Sequence, residues 1–543
     1  MIYTFDTETC YDGSRAWIWM YGLCDESFNV TVGPGERALT ALLDLPHGSE
    51  VYVHNLSFDG NFLVWELVER GFIPKYDLKK GVKSHGYFTT NEDTSGILSM
   101  TIYYRGRTIV LRDSFRLFRC KLEKLPKTCG FEDLDAKARP INYDAVRPRN
   151  HEPTHEERDY QTHDVTVLMR AIKWIRSKSA TGNTIGSIAV QSWRKTRGNV
   201  SPFIPLTGDE RDRLRSLYSG GIVHVARPGL SVGVNGRTYD RNSMYPAESV
   251  GELPVALSDQ DRDDGRTALH IVARGLKLRP GGLPMCVTPF TSSGRSVVDY
   301  LDRWVFADEW ETWLEEYDVT EWLIVERQAF EWAPVCREFM YQWYEAKSTA
   351  TTPEARTYAK FMLNNLTGKF GENDRRDLVR LQIVDGVPVG YRYEEISELN
   401  KWAFMPAVAR ITSQSRRALR AAVIASGRDN LYYTDTDSVH TSGVLPAAMV
   451  DSRALGAWKV ENVWSEACFV KPKTYYERGD VVVCKHAGIN DDATLARRLD
   501  DGTWTDTGEL IGPENLRAGN YFFTRHQKKV TGGIIIERSP KVV

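Results

Sequence analysis

Long apolar runs, paired cysteines and a surplus of basic charge are all missing from this sequence. No stretch approaches the roughly 20 apolar residues of a membrane span. The N-terminus lacks the basic, apolar and small-residue segments of a signal peptide. The eight cysteines include no CxxC pair, which argues against a zinc ribbon and against a disulfide framework. We therefore expect no membrane partner and a reducing cytosolic environment.

Net charge gives no indication of a nucleic-acid partner, since 70 Lys and Arg face 72 Asp and Glu. Positive charge is nevertheless concentrated locally. Residues 401–428 contain six basic residues and no acidic one, and the tail from Arg525 to Lys541 is also basic. We interpret these runs either as cationic surfaces beside acidic sites or as ordinary solvated helix faces.

The size and composition indicate a packed multidomain protein. At 543 residues and 61.8 kDa, the chain is long enough for roughly three or four domains of about 150 residues. Its 42% hydrophobic and 11% aromatic content excludes disorder for most of the length. No internal repeat or linker tract marks a boundary, so domains are inferred from motifs.

The first 180 residues predict one α/β unit. A helix is expected near residues 61–70, and another over 154–177, where Thr154 and Glu157 form a possible capping box. The remaining β-type segments are short. The predicted strands are 2–5, 16–21, 50–53, 99–104 and 108–112.

Two further elements are predicted in the second half of the chain. A helix over 353–370 has Thr352 as its cap and Pro353 in its first turn. The segment LYYTDTDSVHTS, residues 431–442, has β-rich flanks around a polar centre. It predicts a hairpin that carries TDTD at or near its turn.

Four carboxylates in the first domain form a candidate metal site. Asp6 and Glu8 are two apart on a predicted strand, so they share a face and can hold a divalent cation, although such pairs are often merely solvated. Asp59 follows among apolar residues, and Asp164 lies four residues after Tyr160 on one helix face. Together the carboxylates could bind two metals for phosphodiester cleavage, with Tyr160 orienting the water.

A second acidic set lies far downstream. Asp240 follows a short β-type segment, and Asp435 and Asp437 are again two apart, which predicts that they share one face. Two sets of carboxylates in one chain suggest two metal centres.

A polar stripe is predicted on the helix over 353–370. Its members fall at positions i, i+4, i+8 and i+11, which places them on one face. Directed at a metal pair, such a face would bind a triphosphate, because Arg and Lys neutralise charge on phosphoryl oxygens. The stripe consists of Arg356, Lys360, Asn364 and Thr367.

The first acidic set resembles, in content and order, a DEDD-type 3′–5′ exonuclease of the DEDDy branch. This resemblance implies contacts of Thr9, His54, Asn55 and Phe58 with a single-stranded 3′ end, with Phe58 as a stacking face. His54 has the alternative of an ordinary hydrogen-bonded loop histidine. The exonucleases commonly have a lysine before the YxxxD helix, for which Lys137 and Arg139 are both candidates.

The downstream motifs resemble those of family B DNA polymerases. SMYP after Asp240, KFMLNNLTGKFG from Lys360 and YTDTDS from Tyr433 are similar to motifs A, B and C. YSGG at 218–221 resembles the element that joins exonuclease to polymerase, and KTY at 473–475 resembles the primer-bracing motif. The resemblance implies DNA contacts by Tyr218, Gly220, Gly221, Lys473 and Tyr475.

The resemblance also implies roles at the second acidic set. Asp240 and Asp437 would hold two Mg²⁺ ions, or Mn²⁺ as a substitute, with support from Asp435. The helix stripe would bind the incoming nucleotide, and the ring of Tyr245 would lie beneath its sugar. Motif B departs from the usual NSxYG pattern, since Asn365 and Thr367 stand where the family has Ser and Tyr.

The implied fold class is α/β and α+β multidomain, with an RNase H-like exonuclease domain followed by a right-hand polymerase of palm, fingers and thumb. The expected divisions are 1–180, exonuclease; 181–250, linker and first palm part with motif A; 251–345, terminal-protein-region insertion with palm; 346–373, fingers with motif B; 374–402, second insertion; 403–460, palm with motif C; and 461–543, thumb.

Within family B the sequence most resembles the protein-primed subgroup of small phages and linear plasmids. Asp6 leaves no room for the N-terminal domain of cellular enzymes, and only 106 residues follow Asp437, which fits a compact thumb. In that subgroup the two insertions grip the priming protein and encircle the duplex. Alternatively, they are ordinary elaborations of palm and fingers.

The sequence therefore predicts a DNA-templated DNA polymerase with a proofreading exonuclease. Expected partners are primer-template DNA, dNTPs and a terminal priming protein, and we expect a monomer in the cytoplasm of an infected or plasmid-bearing cell. Two alternatives remain, namely a replicase primed by nucleic acid and a nuclease with a non-catalytic nucleic-acid clamp.

Overall fold

The computed structural model describes most of the chain. The described residues are 1–11, 16–75, 85–93, 96–131, 141–142, 145–178, 181–260, 264–285, 300–372, 375–384, 387–397, 400–479 and 481–486, with four short strands between 524 and 542. The candidates Lys137 and Arg139 lie outside these residues, and so do the side chains of the basic tail.

An eight-stranded sheet forms the first part of the chain, in the order β3-β2-β1-β4-β8-β7-β6-β5. The central strands β1, β4 and β8 are parallel to one another, and all five predicted strands are confirmed within longer ones. The strands are β1 Ile2–Tyr11, β2 Ala16–Asp25, β3 Val30–Pro34, β4 Ser49–Val53, β5 Phe72–Pro74, β6 Gly86–Asp93, β7 Gly96–Tyr104 and β8 Arg107–Asp113.

Helices cover both faces of this sheet. Apolar residues of β1 and β4 pack on one face against the first two helices, and the fifth helix covers the other face near β1, β2 and β3. That helix begins at the predicted capping box, since Thr154 and Glu157 each accept a backbone N–H of the other. The helices are α1 Ala38–Leu43, α2 Leu56–Glu69, α3 Phe115–Phe118, α4 Leu125–Cys129 and α5 His155–Ser177.

A seven-stranded sheet carries the second acidic set. Its strand order is β23-β22-β21-β10-β20-β19-β9. Its central strands come from distant parts of the chain, so the sheet brings residues near 240, 435 and 460 together. The strands are β9 Val223–Val225, β10 Gly229–Arg241, β19 Leu431–Asp435, β20 Ser438–Thr441, β21 Trp458–Lys471, β22 Thr474–Gly479 and β23 Val482–His486.

A separate four-stranded sheet in the order β11-β16-β12-β14 lies within residues 251–345. It packs with one short helix, α9, and two two-residue strands pair beside it. The elements are β11 Leu253–Ser258, β12 Ala268–Arg274, β13 Lys277–Leu278, β14 Tyr300–Phe306, α9 Ala307–Glu316, β15 Tyr317–Asp318 and β16 Glu321–Ala333.

The remaining helices join the sheets, and the predicted helix over 353–370 is confirmed as α11. It begins at Thr352, whose hydroxyl accepts the Ala355 N–H, and it packs against α6 and α10. In the part of the chain that is described, no helix has the length and apolarity to cross a membrane. The helices are α6 Ile185–Thr196, α7 Gly208–Leu214, α8 Met244–Glu248, α10 Arg337–Ser348, α11 Pro353–Phe370 and α12 Met405–Ser426.

The other elements are short hairpins and paired strands. Strands β17 and β18 form a hairpin within the predicted second insertion. The last four strands pair as β24 with β27 and β25 with β26. Their bounds are β17 Arg375–Val384, β18 Val387–Ser397, β24 Thr524–Arg525, β25 Lys528–Thr531, β26 Ile534–Glu537 and β27 Lys541–Val542.

The basic run over 401–428 is mostly neither a cationic surface nor a solvated helix face, because all five of its arginines pair with carboxylates of α9. Arg410 donates to both carboxylate oxygens of Asp308 at 2.8 and 2.9 Å. Arg420 and Arg428 both pair with Glu316. The acidic helix α9 therefore neutralises the basic helix α12.

Arg416 is the most buried member of this run. It forms a two-pronged pair with Glu309 at 2.6 and 2.8 Å, and both side chains are 2% exposed or less. Its other nitrogen donates to the carbonyls of Ser219 and Gly220. Removing one member of such a pair leaves an uncompensated buried charge and costs about 3–5 kcal/mol.

Candidate active sites

The first carboxylate centre consists of Asp6, Glu8, Asp59 and Asp164. Strand alternation places Asp6 and Glu8 on the face that α5 covers, and Asp164 reaches them from that helix. One carboxylate oxygen from each of these three residues lies within 4.8 Å of the others. The register with β2 shifts between Glu8 and Thr9, where Trp19 of β2 is the extra residue of a β-bulge, a feature common beside active sites.

Asp59 completes the centre from the other side of the strand. It lies in the first turn of α2, is buried, and accepts the hydroxyl of Thr7 at 2.5 Å. Its charge contributes to the raised pKa values of Asp6 and Glu8. The four predicted carboxylates are therefore brought together by three different elements.

Burial and mutual repulsion dominate the electrostatics of this centre. Burial, followed by the charges of Asp164 and Asp59, raises the pKa of Glu8 to about 8. Burial also raises the pKa of Asp59 to about 6 and the pKa of Asp6 well above its usual range. Hard oxygen ligands that repel one another in a buried site fit a divalent cation, which would relieve both costs.

Two neighbours of this centre escaped the sequence analysis. Gln161 is buried and donates its amide N–H to Asp6 at 2.9 Å. Arg147 lowers the pKa of Glu8 through its charge and is held by Glu157 at 2.6 Å and by the face of Trp19. Gln161 directly follows Tyr160 in the sequence, but no sequence pattern indicated that its side chain faces the carboxylates.

Tyr160 lies one helical turn before Asp164, as predicted. It is half-buried and packs beside the cluster of Cys10, Trp19, Met20 and Ile141. Phe58 is 40% exposed and packs its ring against Phe62, so a face remains open to solvent. Thr9 is half-buried next to the bulge.

His54 and Asn55 form the turn into α2. Both ring nitrogens of His54 are hydrogen-bonded, Nδ1 with the Ser114 hydroxyl at 3.0 Å and Nε2 with the Cys120 carbonyl at 2.9 Å. Asn55 has a left-handed φ of 70°, and its backbone N–H donates to buried Asp113. The alternative of a hydrogen-bonded loop histidine therefore describes the His54 ring.

The second carboxylate centre consists of Asp240 and Asp437, on the seven-stranded sheet. The predicted hairpin is confirmed as β19 and β20, with Thr436 and Asp437 in the turn. Asp240 lies opposite Ser438 in the neighbouring strand. Burial, followed by the charge of Asp240, raises the pKa of Asp437 to about 6. This pair also fits a divalent cation, because neutralisation would relieve its repulsion.

The turn of the hairpin is strained. Thr436 has a left-handed φ of 62°, which is rare for a β-branched residue. Its N–H donates to the Ile222 carbonyl at 2.7 Å. A Cβ on Gly221 would lie 2.5 Å from the Thr436 side chain. The second glycine of the YSGG segment therefore allows its backbone to lie close to the Thr436 side chain.

Asp435 is oriented differently from Asp437. It accepts from Lys473 Nζ at 2.8 and 3.0 Å and from the Tyr433 hydroxyl at 3.2 Å. The left-handed Thr436 interrupts the alternation on which the prediction of a shared face rested. The charge of Asp435 still contributes to the raised pKa of Asp437.

The helix stripe on α11 is confirmed for three of its four residues. Arg356, Lys360 and Asn364 are exposed, whereas Thr367 is 4% exposed. The charge of Lys360 acts to lower the pKa of Asp240, so this member of the stripe lies near the second centre. Asn365 bonds within the helix, donating to the Phe361 carbonyl at 2.9 Å.

Three charged residues at the second centre were missed. Lys347 on α10 donates to the Ser243 hydroxyl at 2.9 Å, and burial, followed by the charges of Arg356 and Lys360, lowers its pKa to about 8. Lys459 and Glu461 on β21 lie beside Asp240. Their positions depend on helix packing and strand register, which motifs alone do not provide.

The remaining predicted residues lie around this centre. Tyr245 is half-buried on α8, beside the core shared with α11. Tyr475 packs its ring against Tyr433 and Phe469, with centroids at 5.1 and 5.5 Å. Tyr218 and Gly220 flank Ser219 in the loop held by Arg416, and the ring of Tyr218 is 48% exposed.

A buried polar network joins β22 to the hairpin. Glu477 pairs with His440 and accepts from Thr238 at 2.6 Å and from Asn462 at 3.1 Å. The other ring nitrogen of His440 contacts the Ser438 hydroxyl at 3.1 Å. The strand that carries Thr474 and Tyr475 of KTY is thereby fixed to the strand that follows Asp437.

The comparisons with known proteins find similarity to DNA polymerases. Residues 317–386 match the family model described as DNA polymerase type B, organellar and viral. The chain is 24% identical to the DNA polymerase of Bacillus phage B103, over 98% of this chain and 97% of that protein. It is also 24% identical to the DNA polymerase of Bacillus phage phi29, over 87% of this chain and 85% of that protein.

Solved structures show the same fold. Phi29 DNA polymerase complexed with primer-template DNA and incoming nucleotide substrates has a TM-score of 0.82 and 22% identity, covering 99% of both chains. The same polymerase complexed with single-stranded DNA has a TM-score of 0.83 and 21% identity, covering 99% of this chain and 98% of that one. The predicted fold class is therefore confirmed.

Proposed function

We propose that the chain is a family B DNA polymerase of the protein-primed phage type, which copies a DNA template and proofreads with a 3′–5′ exonuclease. One observation carries this proposal, namely that two separate carboxylate centres lie on two different sheets and share no residue. A nuclease with a non-catalytic clamp is not favoured, because it gives no role to the half-buried pair of Asp240 and Asp437.

Each centre is proposed to hold divalent cations, two Mg²⁺ with Mn²⁺ as a substitute. Bound there, the cations supply Lewis acidity to phosphoryl and hydroxyl oxygens. The proposed ligands are Asp6, Glu8, Asp59 and Asp164 at the first centre, and Asp240 and Asp437, supported by Asp435, at the second.

At the second centre the protein binds and orients the nucleotide. Arg356, Lys360 and Lys347 offer positive charge to the triphosphate, since the charges of Arg356, Lys360 and Asp240 all act on the Lys347 ammonium. Asn364, exposed on the same face, is proposed to contact the nucleotide side of the pocket, whereas the side chain of Thr367, one turn further, is buried. Catalysis there rests mainly on positioning and charge.

The primer is proposed to lie between the hairpin and β22. Lys473 and Tyr475 would contact it, with the Lys473 ammonium transferred from Asp435 to a backbone phosphate. Tyr218, Gly220 and Gly221 would line its path toward the exonuclease. The aromatic packing of Tyr475 on Tyr433 fixes this surface to the catalytic turn.

At the first centre a single-stranded 3′ end is proposed to enter beside α2. Phe58 offers a stacking face, and Thr9, His54 and Asn55 are proposed to contact the same strand. The ring nitrogens of His54 are already bonded, so its contact would be through the ring face. Tyr160 would orient the attacking water.

The remaining proposals concern domains and partners. We propose the divisions given by the motifs, with residues 251–345 and 374–402 as insertions that hold a terminal priming protein and the duplex. Primer-template DNA and dNTPs are the substrates. The polymerase would act as a monomer in the cytoplasm of a phage-infected or plasmid-bearing cell.

The function is tested by primer extension with Mg²⁺ and dNTPs on a primed oligonucleotide template. We expect extension, together with 3′–5′ degradation of a single strand when dNTPs are omitted. The protein encoded beside this gene should also become labelled by an α-labelled dNTP. Absence of extension would contradict polymerase function, whereas extension without labelling would indicate a replicase primed by nucleic acid.

Tyr245→Val should relax discrimination against ribonucleotides. If the ring lies beneath the sugar, a 2′ hydroxyl overpacks a tight site at a cost of about 1–3 kcal/mol, equivalent to about a ten- to hundredfold bias. Single-nucleotide insertion kinetics should therefore show ribonucleotide insertion rising relative to deoxyribonucleotide insertion by that factor.

The matched control is Tyr358→Val, a buried tyrosine of α11 that packs against Trp174 and Trp343. In this control both insertion rates should fall together, as expected from loss of core packing. An unchanged ratio in Tyr245→Val would remove Tyr245 from the nucleotide pocket.

A further inference from the structure

A lysine lies directly across the strands from one of the two carboxylates of the second centre. Lys459 on β21 is the register partner of Asp240 on β10. Directly opposite residues in an antiparallel pair have Cβ atoms about 4.5–5.5 Å apart on the same face. Lys459 Nζ accordingly lies 3.1 Å from a carboxylate oxygen of Asp240.

A β-bulge places a second carboxylate on the same ammonium. The register shifts between Thr238 and Tyr239, so that Glu461 is the extra residue of β21 between the partners Val460 and Asn462. The Glu461 carboxylate lies 2.5 Å from Lys459 Nζ. Lys459 is therefore held between a carboxylate of the centre and a carboxylate at its edge.

Solvent exposure increases from Asp240 through Lys459 to Glu461, so the ammonium can move outward from one carboxylate to the other. Asp240 is 24% exposed, Lys459 30% and Glu461 46%. The inner partner is thus the proposed metal ligand, and the outer partner faces solvent. The flexible four-carbon stem of lysine allows its ammonium to stay on Glu461 after leaving Asp240.

We propose that Lys459 is a built-in competitor of the divalent cation at the second centre. Its ammonium neutralises Asp240 while no metal is bound, and it withdraws to Glu461 when the cation takes the carboxylate. The affinity of this centre for metal is therefore set partly by the protein itself. This inference rests on the proposed function, because it requires Asp240 to be a metal ligand.

The first centre provides an internal comparison. There the side chain that bonds the inner carboxylate Asp6 is Gln161, an uncharged amide donor. An amide does not compete with a cation through charge, whereas an ammonium does. The two centres should therefore respond differently to removal of the side chain that bonds each aspartate.

The test measures Mn²⁺ binding directly rather than activity. In full-length protein carrying Asp6→Ala and Glu8→Ala, free Mn²⁺ is followed by electron paramagnetic resonance, so that only the second centre contributes. Adding Lys459→Met, which keeps the stem and removes the charge, should tighten Mn²⁺ binding about three- to tenfold. Unchanged or weaker binding would overturn the inference.

A matched control separates this effect from a general change in charge. Lys369 forms a comparable pair with Glu372 at 2.5 Å and belongs to neither centre. Lys369→Met in the same background should leave Mn²⁺ binding unchanged, and equal tightening would overturn the inference. Adding Asp437→Asn to the background protein should abolish Mn²⁺ binding. If it leaves Mn²⁺ binding unchanged, the proposed metal centre is wrong, and this inference is wrong with it.

Glu461→Gln tests the withdrawal step. With its outer partner gone, the ammonium should remain on Asp240, and Mn²⁺ binding should weaken severalfold. In the Lys459→Met background the same change should have a clearly smaller effect, because the competitor is absent. Equal effects in both backgrounds would mean that Glu461 acts on the metal through its own charge, and the withdrawal step would be wrong.

Discussion

Asp437→Asn is expected to reduce primer extension about a thousandfold or more and to leave degradation of a single-stranded DNA largely intact. The substitution keeps the shape of the side chain and removes the charge that, with Asp240, would hold the cations. Loss of Lewis-acid stabilisation worth several kcal/mol corresponds to such a factor, since about 1.4 kcal/mol is tenfold in rate. Single-turnover extension with saturating dNTP measures it.

Folding of this variant should be unimpaired. Burial and the neighbouring charge of Asp240 raise the pKa of Asp437 to about 6. Above that pH the ionised carboxylate lowers the free energy of unfolding, and the neutral asparagine removes this destabilisation. Thermal unfolding without metal should therefore occur at an equal or higher temperature. A folded variant that lost both activities would contradict the assignment of two independent centres.

The converse variant, Asp6→Ala with Glu8→Ala, should abolish 3′–5′ degradation by a comparable factor and preserve extension. Both carboxylates belong to the cluster whose oxygens lie within 4.8 Å, and no residue of that cluster belongs to the second sheet. Misincorporated primer ends should then persist. Degradation of labelled single strands and extension from matched and mismatched ends provide the measurement.

Glu50→Ala is a suitable control for this variant. Glu50 lies on β4, which pairs with β1. Its carboxylate lies 2.8 Å from the Arg112 guanidinium, and it is not a member of the carboxylate cluster. It tests whether removal of any carboxylate from this sheet reduces degradation. If Glu50→Ala lowered degradation as strongly as the double change, the loss would reflect the stability of the sheet and not a metal site.

Local patterns were sufficient for much of the fold and for the carboxylates. The alternation of Asp6 and Glu8, the cap at Thr154 and the polar centre of the TDTD hairpin each depend on a few neighbouring residues. Such features are set by backbone geometry, so a short sequence window contains them. Their assembly into two centres agrees with what the family resemblance implied.

Long-range pairing was not predictable in the same way. The opposition of Lys459 and Asp240 depends on strand register and on a bulge, and a one-residue slip would reverse the face. The arginines of α12 looked like a free cationic face because their acidic partners lie about a hundred residues earlier in the chain. Thr367 fell on the predicted stripe, yet its position in the packed end of α11 buries it.

The double attachment of Arg416 has a consequence for recombination among related sequences. This side chain binds Glu309 within the region 251–345 and the loop carbonyls of Ser219 and Gly220 outside it. A natural or engineered chimaera that exchanges the region alone would separate an arginine from its acidic partner in a dry interior. Viable chimaeras should therefore take both helices of the pair, α9 and α12, from the same parent.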